Sequence, residues 1–289
     1  MTRCVKNVCG CGGIKLSRIR RLWKGMGSSM EELQGSLRII TNTGVLQYIF
    51  KGVLFTLVIS VIAVVLGIVV GSVLALVRNY CVGPVSRIFK WLAICYIEIF
   101  RNTPLLLWIF ICVVFCPCPK FFGHKMFGLS SVEVKLLFKA AVALILFTSS
   151  VIAEIVRGGL NSVAEGQFEA GKSQGFHMVQ IMVYIVLPQA YRNIIPTLLS
   201  QVVTTIKDSS YLANVAVIEL MARVRQIMNG AYQYNGMATT NVSDVFVLFG
   251  FAALIYFVIN FTLSCIVRNM QKKQGKNARG MGLAVSVNN

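Results

Sequence analysis

Gly166-Gln167-Phe168-Glu169-Ala170-Gly171-Lys172-Ser173 fits the phosphate-loop pattern G-x-x-x-x-G-K-[ST] letter for letter. In that pattern backbone N–H groups cradle phosphates, the lysine meets their charge and the hydroxyl holds magnesium. The chemistry would be that of a membrane-anchored NTPase using Gly171, Lys172 and Ser173. The surroundings argue against it. A phosphate loop follows a buried strand, whereas here a long apolar stretch and a polar helix start come first. Phe168-Glu169-Ala170 favours helix, and Glu169 puts a carboxylate where phosphates would lie. No apolar strand ending in Asp follows to hold the metal. The other reading is a short helix. Ser162-Val163-Ala164-Glu165 has the spacing of a capping box. Glu165 and Glu169 fall four apart on one face, with Lys172 three further on. Gly175 supplies the left-handed residue that ends helices. The apolar run Met178 to Leu187 that follows is expected to stop or kink at Pro188.

Four charges sit inside otherwise apolar stretches: Glu98 with Arg101, and Glu154 with Arg157. Each pair is spaced i, i+3, so each can neutralise itself on one helix face. Between structural ion pairing and contact with a passing solute, the residues leave both roles open. Asn102-Thr103-Pro104 is a different signal, because proline removes a backbone donor and biases the residue before it away from helix. Broken helices place free backbone groups beside polar solutes in transporters. Asn102, Thr103, Pro104 and Glu154 are therefore the candidates for a translocation path. The nine cysteines make no metal framework: Cys9-x-Cys11 and Cys116-Pro-Cys118 lack the spacer and second ligand pair of a zinc site. His124 and His177 fall in separate loops, so no Ser/His/Asp or Cys/His arrangement can be assembled.

The elements that position these residues follow from composition. Of 289 residues 56% are apolar and 13% charged, with a mean hydropathy of +0.72, where soluble domains carry about 25% charged residues. This is a membrane protein. Its net charge of +18 would suggest nucleic acid on a soluble chain, but eleven of those charges flank the apolar body, in residues 1 to 44 and 268 to 289. A nucleic-acid partner, a secreted disulfide scaffold and a disordered chain are excluded. Gly52 to Val77 and Phe246 to Val267 are uncharged, each long enough for the about 20 residues a crossing helix needs. Three more stretches, 91 to 116, 137 to 159 and 178 to 206, are interrupted by the charges above and by Pro188, Arg192 and Pro196. The expectation is an all-α, polytopic membrane protein with about five transmembrane helices, organised as a basic N-terminal segment (1–44), a transmembrane domain (45–270) and a basic tail (271–289). Arg268, Lys272, Lys273, Lys276 and Arg279 place that tail in the cytoplasm. Five crossings then put the N-terminus outside, against the basic residues between Arg3 and Lys24. A start of translation at Met30 resolves the conflict. Gly67-x-x-x-Gly71 would let another helix approach closely.

Glu169-Ala170-Gly171, then Gly175, then Ile185-x-Leu187-Pro188 resembles the EAA signature of binding-protein-dependent ABC importer permeases, with Gly171 where the family usually has Ala. Glu98-Ile-Phe-Arg101-Asn102-Thr103-Pro104-Leu105-Leu106, Ala153-Glu154-Ile-Val-Arg157-Gly158-Gly159 and Lys207-Asp208-Ser209-Ser210 are similar to the polar amino acid branch, the histidine, glutamine and glutamate permeases, over about residues 44 to 270. The resemblance leans to glutamine and glutamate. It implies a multi-pass subunit of the bacterial cell inner membrane that is not itself an enzyme and holds no cofactor, ATP being bound by separate ABC ATPase subunits. It further implies an extracytoplasmic amino-acid-binding protein and a second permease chain, identical or homologous, as partners. Glu165, Glu169, Ala170, Gly171, Gly175, Leu187 and Pro188 would then couple the chain to the ATPase.

Overall fold

In hydrocarbon there is no water to pair backbone N–H and C=O groups. Valine- and isoleucine-rich stretches that are indifferent helix formers in water therefore become helices. The computed structural model describes residues 30–80, 83–125 and 128–280, and no β-strand occurs among them. The expectation about Met30 concerns residues 1–29 and lies outside the described residues. α1 (residues 30–41) leads into α2 (Thr43–Tyr80). α3 (Pro84–Arg101) and α4 (Leu105–Phe115) are joined through a 112° bend at Asn102-Thr103-Pro104. α5 (Ser131–Asn161) and the short α6 (Glu165–Ser173) follow. α7 (Met178–Gln180), a π-helical segment (Ile181–Val186) and α8 (Leu187–Asp208) run on without a break. α9 (Leu220–Asn229) and α10 (Val242–Gly280) complete the order.

Among the described residues three helices, Thr43–Tyr80, Ser131–Asn161 and Val242–Lys272, are long and apolar enough to cross a bilayer, and the bent pair α3–α4 makes a fourth if it counts as one span. The fifth expected span, 178–206, is helical but falls short by composition, because Gln189, Arg192, Asn193 and Gln201 dilute it. The expected stop at Pro188 takes the form of the π segment just before it. Proline has no N–H to give and its ring crowds the carbonyl four residues back, so the helix widens upstream instead of ending.

The residues fall into two compact units. In the first, the described residues up to Phe50 with Arg223–Leu254, a fully buried carboxylate organises the packing. Asp244 accepts from Ser36 Oγ (2.6 Å), Asn235 Nδ2 (2.8 Å) and the Asn241 backbone N–H (2.9 Å), which ties α1 to the start of α10. A Cβ at Gly35 would lie 2.8 Å from the Asn235 carbonyl oxygen, so the approach depends on glycine there.

In the second unit, Lys51–Ala222 with the described residues from Ile255, α5 is the central post. Ile152, Val156 and Leu160 pack with Ile181, Val186 and Ala190, while its N-terminal half packs Ala143 and Leu144 against Ile59, Ala63 and Ile109. α5 opens with a capping box: Ser130 Oγ accepts from Glu133 N–H (3.3 Å) and Glu133 accepts from Ser130 N–H (2.7 Å). The expected box at Ser162–Glu165 does not form. Ser162 closes α5 instead, its hydroxyl donating to the Gly159 carbonyl (2.7 Å) and accepting from Asn193 Nδ2 (3.1 Å), so Ala164 becomes the residue before α6. Glu219, also fully buried, accepts from Ala222 N–H (2.8 Å), Tyr256 Oη (3.1 Å) and Thr56 Oγ1 (3.3 Å), joining α2, α9 and α10.

The glycine pair on α2 does what its spacing suggested. A Cβ on Gly71 would lie 2.7 Å from the Ser149 carbonyl oxygen and 2.9 Å from Ala153 N, both backbone atoms of α5. Gly71→Leu is expected to overpack this crossing at a cost of about 1 to 3 kcal/mol. Gly250→Leu, where a Cβ meets nothing within 4 Å, is the size-matched control expected to leave stability unchanged. Thermal unfolding in detergent distinguishes the two, and equal midpoints would contradict the close crossing.

Candidate functional site

Three groups of residues in the second unit carry the positions singled out in the sequence. The first is centred on Glu154. Its carboxylate accepts from Arg78 Nη1 (2.9 Å) and from Arg157 Nε (2.8 Å) and Nη2, and Arg101 Nη1 stands 3.7 Å away. Arg78 Nη2 also faces Glu98 at 3.7 Å. The i, i+3 expectation therefore holds for Glu154 and Arg157 but not for Glu98 and Arg101, which pair across helices instead. The reason is reach. α2 and α3 both end beside the same turn of α5, so each arginine finds a carboxylate on a neighbouring helix. Arg78 was visible in the sequence only as the charge that ends the first apolar stretch; its partner could not be read there, 76 residues separating the two.

The second group is the bend. Pro104 stands just before α4 with φ −63° and ψ 134°, an extended conformation. The Asn102 backbone N–H and side-chain Nδ2 both donate to the Glu98 carbonyl (3.2 and 2.8 Å), closing the end of α3. Thr103 Oγ1 donates to the Ile99 carbonyl and accepts from Trp108 Nε1, each at 2.6 Å. Phe100 stacks on Trp108 with centroids 4.0 Å apart, and Tyr96 lies against Phe100 at 4.6 Å. The bend is thus stitched from both arms, by a hydroxyl and by an aromatic stack. Of Tyr96, Phe100 and Trp108 the sequence carries only one local signal, the i, i+4 spacing of the first two.

The third group is α6. It is a helix from Glu165 to Ser173, so residues 166–173 form no phosphate cradle. Ser173 Oγ donates back to the Glu169 carbonyl at 2.9 Å, and Lys172 lies in the last turn with its side chain exposed. Gly175 has φ +81°; its N–H reaches the Lys172 carbonyl (2.9 Å) and Phe176 N–H the Gly171 carbonyl (3.1 Å), the paired bonds of a Schellman end. Gly171 is buried, and a Cβ on it would lie 2.9 Å from Ile181 Cγ1 and 3.1 Å from Ile185 Cδ1. Phe168 turns to the same side and meets Tyr80 at the end of α2, with centroids 6.5 Å apart. Glu165, Glu169, Ala170 and Lys172 are all exposed, as is Pro188, while Leu187 is half-buried in the core. The helix therefore has one packed side and one open acidic side.

A family model covers the stretch that holds all three groups. The binding-protein-dependent transport system inner membrane component matches residues 67–276. The chain belongs to that family of ABC importer permeases. A probable glutamine ABC transporter permease protein of Bacillus subtilis is 33% identical over 231 residues, covering 79% of this chain and 94% of that one. A second such protein of the same organism is 36% identical over 228 residues, with 78% and 93% covered. The glutamate/aspartate import permease protein of Escherichia coli is 32% identical over 231 residues, with 79% and 94% covered. Among solved structures, an amino acid ABC transporter with histidines aligns at a TM-score of 0.64 and 26% identity, covering 81% of this chain and 98% of that one. A methionine ABC transporter in inward-facing conformations shares the fold at a TM-score of 0.55. A multi-pass importer permease accounts for the apolar helices, and the NTPase reading is set aside.

Two outcomes test the geometry of the permease. Glu154→Gln leaves Arg78 and Arg157 without their shared charge, and is expected to cost about 1.5 to 3 kcal/mol. Arg101→Gln, at 3.7 Å and with its side chain 39% exposed, should cost no more than about 1 kcal/mol. At the bend, Thr103→Val deprives Trp108 Nε1 of its acceptor, at a cost of about 1 to 3 kcal/mol. It should lower transport more than Pro104→Ala, because the stack and the hydroxyl hold the bend without the ring. Unfolding midpoints in detergent and uptake by vesicles rank these four variants, and the reverse order in either pair would contradict the account.

Proposed function

We propose that the chain is the membrane subunit of a bacterial inner-membrane importer for polar amino acids, glutamine or glutamate foremost, and that α6 is the element by which a separate ATPase subunit drives it. Several relatives covered over more than nine-tenths of their length bear glutamine or glutamate in their names, which supports the cargo, and an arginine permease matches at similar coverage, in keeping with a polar amino acid. The observation that carries the coupling role is the division of α6 into a packed side, Phe168 and Gly171, and an open side, Glu165 and Glu169. Exposed carboxylates on a short helix are suited to charge-assisted bonds with basic groups of a docked subunit. Gly171, Ile181 and Ile185 in contact mean that a push on α6 is passed directly to the helix that continues as α8. Ala170, Leu187 and Pro188 belong to the same unit of movement.

In this reading the permease binds no cofactor of its own, and ATP is bound and hydrolysed by the partner subunit. An extracytoplasmic binding protein delivers the amino acid, and a second permease chain, identical or homologous, completes the path. Asn102, Thr103, Pro104 and Glu154 border that path, the bend supplying backbone groups that helix bonding leaves free and Glu154 a charge held by its arginines.

The phosphate-loop and docking-helix readings assign opposite roles to neighbouring residues, so two substitutions separate them. Lys172→Ala is expected to shift stability by no more than about 0.5 kcal/mol and to leave uptake intact. Gly175→Val forces a β-branched residue towards positive φ, at a strain of about 1 to 3 kcal/mol, and is expected to abolish both ATP-driven uptake and co-purification of the ATPase subunit. Loss of uptake with Lys172→Ala alone, Gly175→Val remaining active and ATPase-bound, would overturn the coupling role.

A further inference from the structure

α3 has three faces. Ala93, Ile97 and Phe100 are buried against the protein, and Tyr96 reaches across to α5, its hydroxyl donating to the Leu146 carbonyl at 2.8 Å. At about 100° per residue, Ile88, Trp91, Leu92, Cys95 and Ile99 share a second face, and every one of them is exposed, Trp91 to 61%. Arg87, Lys90, Glu98 and Arg101 form a polar stripe along one border of that face, with Arg87 exposed and Lys90 half-buried.

A helix that crosses the bilayer is apolar outward and turns its charges inward. A helix with an open apolar face and cations along its border fits the plane where hydrocarbon gives way to headgroups. The bend agrees with this placement. Were α4 to stand along the bilayer normal, the 112° bend would set α3 about 22° from the membrane plane, the excess over a right angle. The end of α2 that precedes α3 meets α6 through Tyr80 and Phe168, so α3 begins on the side where α6 lies. On that side Arg78, Arg87, Lys90, Arg101, Arg157 and Lys172 outnumber Glu98, Glu154, Glu165 and Glu169, the bias of a cytoplasmic surface.

We propose that α3 is an in-plane helix of the cytoplasmic leaflet, that Arg87 and Lys90 bind the headgroups of anionic phospholipid, and that Trp91 sits at the level of those headgroups. Lipid is favoured over a second copy of the chain because the cations border the apolar face where an anionic surface meets them. Trp91 is also the residue type that settles at such a boundary.

The assembled importer in vesicles of phosphatidylethanolamine and phosphatidylglycerol provides the test, with acyl chains brominated either near the headgroup or near the chain end. The Trp91 fluorescence, obtained as the difference between the unmodified protein and Trp91→Phe, should be quenched more by the shallow bromines than by the deep ones. In parallel, mass spectrometry of the intact protein in detergent measures the Kd for phosphatidylglycerol. Arg87→Gln and Lys90→Gln should each weaken the tightest binding about fivefold, while Arg87→Lys restores it. Stronger quenching by deep bromines would make α3 part of a crossing helix and overturn the proposal. Absence of quenching by either lipid would show Trp91 covered by another chain and overturn it too, as would a Kd unmoved by both neutral substitutions. None of these readings depends on uptake, so they stand apart from the importer assignment.

Discussion

Glu154 is where three helices of the second unit are held to one another. Its two oxygens are shared by Arg78 of α2 and Arg157 of its own helix, with Arg101 of α3 close by. A lone carboxylate in apolar surroundings is costly, and so is a lone arginine, because neither keeps its hydration. Once together, the carboxylate and its two bonded arginines satisfy one another, and removing the carboxylate strands Arg78 and Arg157. The remaining packing is arranged around that requirement. Gly67 and Gly71 let α2 lie against α5 at Thr148 to Ala153, the stretch just before the carboxylate, which brings Arg78 within reach.

The same close-packing logic governs α6. A glycine in mid-helix normally weakens it, by up to about 1 kcal/mol against alanine. At Gly171 that cost is offset by contact, since the absent Cβ leaves room for Ile181 and Ile185. Gly175 acts through conformation instead: no atom crowds the position, but φ +81° excludes most other residues. Two glycines four residues apart thus serve different physical ends, one seating the helix and the other stopping it. Together they leave Glu165 and Glu169 facing outward.

The break between α3 and α4 combines a weak local bias with strong tertiary restraint. Pro104 only makes the extended conformation easy. Thr103, hydrogen-bonded to both arms, and the Tyr96, Phe100 and Trp108 rings fix the angle. Buried polar anchors elsewhere work alike: Asp244 and Glu219 are each satisfied by hydrogen bonds from segments far apart in the chain.

Composition and periodicity by themselves determined that the chain is helical and membrane-borne, since uncharged runs such as Gly52 to Val77 have no other stable home. They also located the break at Asn102-Thr103-Pro104, the left-handed stop at Gly175 and the helix in place of a phosphate loop, because each depends on neighbours within a few residues. What spans longer separations was decided only by the tertiary structure. The partners of Glu98 and Arg101 were misassigned to each other because i, i+3 geometry is the nearest option in sequence, whereas packing offered closer ones on α2 and α5. Ser162 and Ser130 both begin an S-x-x-E pattern, yet only Ser130 caps a helix; the hydroxyl of Ser162 was already claimed by the end of α5 and by Asn193. A capping pattern states what a residue can bond, and the fold decides which bond reaches it first.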